Sequence, residues 1–199
     1  MQHDQHRSLY LRAGDGAEPQ GLISISANSA KLGMCSAISV VPIQHGEERT
    51  MTIFEALRAD HDVQRALIND LVNTEGDSAT RRRLFDEIKA ELQAHAAAEE
   101  RHFYVPLMAS DMTIEKARHS VAEHHELDEF IEQLEETEFS SPGWLVTAKK
   151  LEHRLLHHLE EEEREVFQLA GKVLSENDKE LLAKRFNNEL KEQKLAIGS

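Results

Sequence analysis

Cysteine is almost missing from this 199-residue chain, which has only Cys35. A disulfide within the chain is therefore impossible, and thiolate-ligated zinc or iron–sulfur chemistry is excluded for a monomer. Aromatic residues make up only 5% of the sequence, and glycine is sparse beyond residue 50, which favours helices over sheet. No apolar run approaches the roughly 20 residues that span a bilayer. The polar start Met1-Gln2-His3-Asp4 leads into no secretory apolar segment, so a cytoplasmic location is expected. Positive charge is also scarce: 23 Lys and Arg stand against 37 Asp and Glu, a formal charge of −14. Residues 1–50 hold four basic and five acidic side chains, so nearly all of the negative charge falls on the remainder. Such a domain is repelled by phosphate backbones and anionic lipid, which argues against nucleic acid and membrane surfaces as partners. No nucleophile–base arrangement, Gly-rich phosphate loop or basic aromatic patch is present, so any catalysis would have to be metal-centred redox chemistry.

The length allows one domain with a sizeable core plus extensions. Residues 1–50 contain five of the nine glycines and two of the four prolines, with no sustained helical period. They read as a flexible N-terminal extension, and the alternating run Leu22-Ile23-Ser24-Ile25-Ser26 has no convincing partner strand. Met51 directly precedes the first strong pattern, which makes it an alternative start. From Thr52 the period becomes 3.6. Ile53, Leu57, His61, Leu67, Ile68 and Leu71 mark a first helix, stopped by the turn residues 73–77. A second runs from about Thr80 to Val105 with Leu84, Phe85, Ile88, Leu92, His95, Glu99 and Phe103 on one face, and Pro106 is expected to end or kink it. Thr113 can cap a third, with Ile114, Val121, His124, Leu127, Ile131 and Leu134 inward. A fourth spans about Trp144 to Val173, with Leu151, Leu155, His158, Glu162, Val166 and Phe167 in register. Ser175 and Asp178 form a capping box for a fifth helix bearing Leu181, Leu182, Phe186 and Leu190. The fold expected is all-α: an up-down-up-down four-helix bundle over residues 51–174, with an extra short C-terminal helix at 175–199 packing across one end.

One spacing occurs twice. His61 is followed 34 residues later by His95, and His124 is followed 34 residues later by His158. Each second histidine has a glutamate four residues on, Glu99 and Glu162. Residues i and i+4 share a helix face, and both pairs fall on the apolar stripe. A carboxylate inside a Leu/Phe core costs several kcal/mol unless it is paired or metal-bound. Imidazole and carboxylate suit iron, manganese or zinc. Zinc usually closes at four ligands, so six protein ligands are better shared by two metals, with each Glu able to bridge them. The reading is a pair of iron ions, oxo- or hydroxo-bridged, with manganese or zinc as lesser alternatives. An open iron position would admit a small diatomic ligand, dioxygen or nitric oxide.

With these residues in view, the chain resembles the hemerythrin-like (HHE cation-binding) family over about residues 52–173. The resemblance rests on Asp60-His61-Asp62 and on His95 to Glu99-Glu100-Arg101 leading to Phe103-Tyr104-Val105-Pro106. The second copy is Glu123-His124 with Leu127, Phe130, Ile131 and Leu134, then His158 to Glu162-Glu163 leading to Val166-Phe167. It implies a four-helix bundle with a non-heme di-iron centre and iron ligands at His61, His95, Glu99, His124, His158 and Glu162. Oxygen-carrying hemerythrins place two histidines four apart on the third helix and an aspartate five beyond the histidine of the fourth. Here Ser120 and Asp128 flank His124 at that distance, and the fourth helix ends its motif in Glu162. The resemblance therefore implies sensing of oxygen or nitric oxide, iron handling or a redox stress role, with an unknown redox or signalling protein as partner, rather than oxygen transport.

Other histidines and acids compete for attention. His125 and His157 adjoin the chosen histidines and are expected outside the ligand set. His102 either lines one end of the pocket or is a satisfied core-edge histidine. His119 and His153 fall off the stripes, Trp144 is expected in the bundle end, and Glu160 to Glu163 read as a solvated face except for Glu162. Two rival functions remain. A ferritin-like di-iron oxidase needs Glu-x-x-His on two helices, which Glu99 and His102 supply only once. A metal-free helical interaction module would be indifferent to chelators.

Overall fold

The structure is a computed structural model that describes residues 50–198. The expected N-terminal extension, apart from residue 50, lies outside the described residues, as does Cys35. Every described element is helical. Helix α1 (Ile53–Val72) starts on a capping box in which the Glu55 N–H donates to the Thr52 hydroxyl and the Thr52 N–H donates to the Glu55 carboxylate. The turn after it is closed by Gly76 at φ +57°, a left-handed conformation that suits glycine. Ser78 then caps α2 (Ala79–Glu99).

Pro106 neither ends nor breaks this helix. A π turn, Glu100–Tyr104, intervenes and leads into the short α3 (Val105–Leu107), whose first turn holds the proline. The Val105 N–H reaches back five residues to the Glu100 carbonyl. In an unbroken α-helix the proline ring would clash with the carbonyl four residues back, and the wider turn relieves that. The other half has the same device without a proline. Helix α5 (Pro142–Glu161) passes through a π turn at Glu162–Val166 into α6 (Phe167–Val173). What the two turns share is the paired glutamate at their start. The extra residue turns Phe103, Tyr104 and Leu107 inward together, while Val105 is left 61% exposed.

Helix α4 (Ile114–Glu136) runs between these segments. Thr113 stands at its N-cap position but does not cap it. Buried beside the end of α3, its hydroxyl donates to the Leu107 carbonyl at 2.5 Å instead. Helix α7 (Glu176–Ile197) begins on the expected Ser175–Asp178 capping box and, at 22 residues, is not the short helix expected but as long as those of the bundle. It does not lie across the end of the bundle but lengthwise along α1 and α2. Leu182, Ala183 and Phe186 join Ile53, Ala56 and Phe103 in one apolar cluster, with Ala183 buried where Leu181 was expected. Further along, Glu189 pairs with Arg101, and Lys194 pairs with Asp60 and Glu91. A buried stripe followed by charges complementary to α1, α2 and the π turn after α2 holds the helix along its length.

The apolar interior is in two parts. One holds Ile68, Leu71, Phe85, Ile88, Leu134, Leu151 and Leu155 around Trp144, whose indole N–H donates to the Leu134 carbonyl at 3.2 Å. The other holds Ile53, Leu57, Phe103, Tyr104, Leu107, Phe167 and the α7 residues. Between them lies a layer of buried polar groups that neither cluster can satisfy.

Candidate metal centre

That layer contains all six side chains singled out by spacing. His61, His95, Glu99, His124, His158 and Glu162 are each at most 4% exposed. Helices α1 and α4 each supply one histidine; α2 supplies His95 with Glu99 one turn on, and α5 supplies His158 with Glu162 one turn on, where the π turn begins. Their choice over neighbouring histidines follows from helix azimuth: the side chain of His125 is 77% exposed, and His157 and His153 are also exposed. His102 turns to α7 and sits 3.5 Å from Glu189, so a Glu-x-x-His pair is not assembled on the site.

Within the layer two groups of three could each hold a cation: His61, His95 and Glu99, and Glu99, His124 and His158; a third cluster, His119, Glu123 and Glu161, lies outside it with His119 exposed. Glu99 belongs to both, its Oε2 lying 3.3 Å from His95 Nε2 and 3.2 Å from His124 Nε2. Glu162 stands outside these groups, with its Oε2 3.2 Å from His61 Nε2. The two glutamates are thus not equivalent: Glu99 touches histidines of both halves, whereas the equally buried Glu162 touches His61 and Glu99. His124 Nε2 and His158 Nε2 face each other at 3.2 Å.

The outward nitrogen of each ring is bound to an acid. His95 Nδ1 lies 2.7 Å from Asp60, His158 Nδ1 2.8 Å from Glu123, His61 Nδ1 2.9 Å from Glu163, and His124 Nδ1 3.0 Å from Glu100. An imidazole donating one N–H to a carboxylate has its other nitrogen free as a metal ligand, and the carboxylate fixes the tautomer. Helical spacing alone gives these four acids no role. Glu163 in particular falls in a run that reads as a solvated face, whereas its carboxylate crosses to His61 of α1. A signal did exist: an acid precedes His61 and His124, and an acid follows Glu99 and Glu162.

Electrostatics show what the bare layer must do. Burial, and then the negative charge of Glu99, pushes Glu162 up to about 8. Burial opposes ionisation of Glu99 too, but the charge of His95 and the closeness of the His124 and His95 rings hold it well below the usual carboxylate range. Burial would lower His124, yet its hydrogen bond to Glu100 and the nearby charge of Glu99 bring it up to about 9. Burial takes His158 down to about 4 against the pull of Glu123. One imidazolium thus donates to one neutral imidazole across the 3.2 Å gap. The remaining inward atoms find no such partner: His61 Nε2, His95 Nε2 and both carboxylate oxygens of Glu99 and Glu162 are buried without a hydrogen bond. Unpartnered buried acceptors of this kind carry a large desolvation cost, and a multivalent cation among them removes it. The donor set of nitrogen and carboxylate oxygen fits iron.

A small cavity opens onto the layer between α2 and α4. It is lined by Gln64, Leu92, His95, Ala96, His124, Leu127, Asp128 and His158, and leaves about 10 Å³ for the centre of a water-sized molecule. Tyr104 lies against the other side, its ring 5.7 Å from that of His124.

Fold and site together define an all-helical bundle built to hold cations between two similar helical hairpins. The chain belongs to the hemerythrin HHE cation-binding domain family, whose model matches residues 52–170. The crystal structure of a hemerythrin HHE cation binding domain-containing protein from Mycobacterium kansasii shares the fold, with a TM-score of 0.66. It is 24% identical, and the match covers 73% of this chain and 89% of that one. No curated protein sequence matches this chain significantly.

Proposed function

We propose that this protein binds a pair of iron ions in the polar layer and uses them to bind or sense a small diatomic ligand, oxygen or nitric oxide, or to handle iron and redox stress. The observation that carries this reading is the set of inward-facing, unpartnered ring nitrogens and carboxylate oxygens, each ring anchored from behind by an acid. One ion would be held by His61, His95 and Glu99 with Glu162 beside them, the other by His124, His158 and Glu99. A bound iron pair supplies reversible one-electron chemistry and open coordination positions for a diatomic. The chain's own residues do the rest. Asp60, Glu123, Glu163 and Glu100 hold the rings in the ligating tautomer. The apolar clusters above and below exclude bulk water, which strengthens every charge interaction inside. Leu92, Ala96 and Leu127 restrict the cavity to something the size of a diatomic.

The test is metal analysis of purified protein together with its optical and Mössbauer spectra, recorded without oxygen and after adding oxygen or nitric oxide. About two irons per chain, antiferromagnetically coupled and with a spectrum that changes on adding either gas, is the expected result. A well-folded preparation that takes up no iron from an anaerobic ferrous solution would overturn the reading.

A further inference from the structure

The two halves of the centre are related by a shift of 63 residues, which takes Asp60 to Glu123, His61 to His124, Glu91 to Arg154, His95 to His158 and Glu99 to Glu162. In the second half, Glu123 uses one oxygen to hold His158 Nδ1 at 2.8 Å and presents the other to Arg154 at 3.0 Å. The cation that steadies this acid comes from α5, the helix that also carries His158. In the first half, Asp60 holds His95 Nδ1 at 2.7 Å and takes the Gln64 amide at 3.0 Å on the same oxygen. Here, however, the place of the arginine is taken by Glu91, a second acid. The missing positive charge arrives from outside the bundle. Lys194, near the end of α7, puts its ammonium 3.3 Å from the free oxygen of Asp60 and 2.6 Å from Glu91.

We propose that Lys194 is a positioning residue for His95, so that seating of the C-terminal helix sets the metal affinity of the His61–His95 half, while the His124–His158 half is steadied internally by Arg154. Lys194 is the cation that reaches both acids. Without it, Glu91 and Asp60 are left either to repel each other or to share a proton, and in both cases Asp60 is drawn from the geometry in which it anchors His95 Nδ1. Losing an acid that orients a metal-bound histidine typically weakens metal binding by about 10- to 100-fold.

The inference rests on the metal reading above, and the experiment separates the two. Ferrous ion is titrated anaerobically into the full chain, with a chelator as competitor, for wild type, K194M, K194R and K194M/E91R. The expected result for K194M is loss of roughly 10-fold or more in affinity for one of two equivalents, with the other unchanged. K194R, which keeps the charge, and K194M/E91R, which installs the arrangement of the second half, restore it. The mirror variant R154M weakens one equivalent on its own and both when combined with K194M. Wild-type affinity in K194M, or no restoration by either rescue variant, overturns the proposal. A second readout needs no metal. In metal-free protein the Nδ1–H of His95, seen by NMR, is expected to exchange with water faster in K194M and at the wild-type rate in K194M/E91R. An unchanged exchange rate in K194M overturns the positioning role even if wild type proves to bind no iron.

Discussion

The first hairpin, α1 with α2, and the second, α4 with α5, present their ligands at the same spacing but support them differently. Each gives a histidine, a second histidine and a glutamate one turn on, and each second histidine leans on the acid just before the first. Beyond that layer they part. The second half carries its own arginine. The first has an acid in that place and relies on a helix outside the bundle. The cavity wall holds Gln64 in one half and Leu127 in the other, and the residue nine beyond the second histidine is Tyr104 in one and Phe167 in the other. Metal ligation constrains the innermost atoms tightly, because geometry and donor type are fixed by the ion. Its supporting charges need only the right sign at the right distance, so they can come from different elements.

The largest expected effect breaks the symmetry of the two glutamates. Because Glu99 serves both trios, Glu99→Ala is expected to abolish uptake of both iron equivalents, whereas Glu162→Ala should leave the His124–His158 equivalent bound. Iron quantified per chain after anaerobic loading reads the difference, and equal losses would mean that Glu162 is as central as Glu99. Metal withdrawal ranks next. If iron binds the folded state alone, loading at about 1,000 times Kd should raise unfolding stability by about 4 kcal/mol over chelator-treated protein, measured by urea melts.

A subtler contrast is Glu91 against Arg154. Burial, then Asp60, raises Glu91 from 4.5 to about 7, with Lys194 opposing. A carboxyl raised on folding stabilises the fold most below its unfolded pKa, and that contribution is lost as pH rises through the folded one. The stability of metal-free wild type relative to Glu91→Gln should therefore fall between pH 4.5 and about 7 and be flat on either side. A flat difference throughout would place Glu91 among ordinary surface acids. The smallest expected change comes from making the halves alike at Tyr104, whose buried phenol lies near Ser120 and Glu99. Tyr104→Phe should alter metal-free stability by no more than about 1 kcal/mol in the same melts.

Much of this was legible in the order of residues. The 3.6 period set five helices in nearly their observed places, and the 34-residue interval with its i+4 glutamate picked out His124 over His125 and His158 over His157 for the buried face. The Ser175–Asp178 box was legible because both partners are local. The π turns were not, since nothing in the local pattern marks an extra residue when Phe103 and Tyr104 are both apolar enough to be buried. Glu163 was lost in an acidic run because its partner, His61, lies 102 residues away.

Residue spacing was enough to set azimuth: which side chains share a face of each helix, and that two hairpins would carry the same donors at the same height. That follows from backbone geometry, where residue spacing alone sets the angle around the axis. What stands across from each face came from the packing of the helices: Glu163 behind His61, Glu100 behind His124, Glu99 between the histidines of both halves, and Lys194 of α7 in the place an arginine fills in the other half. Those pairings depend on the distance and offset between helices, which come from how the apolar clusters pack and not from the period of any one segment.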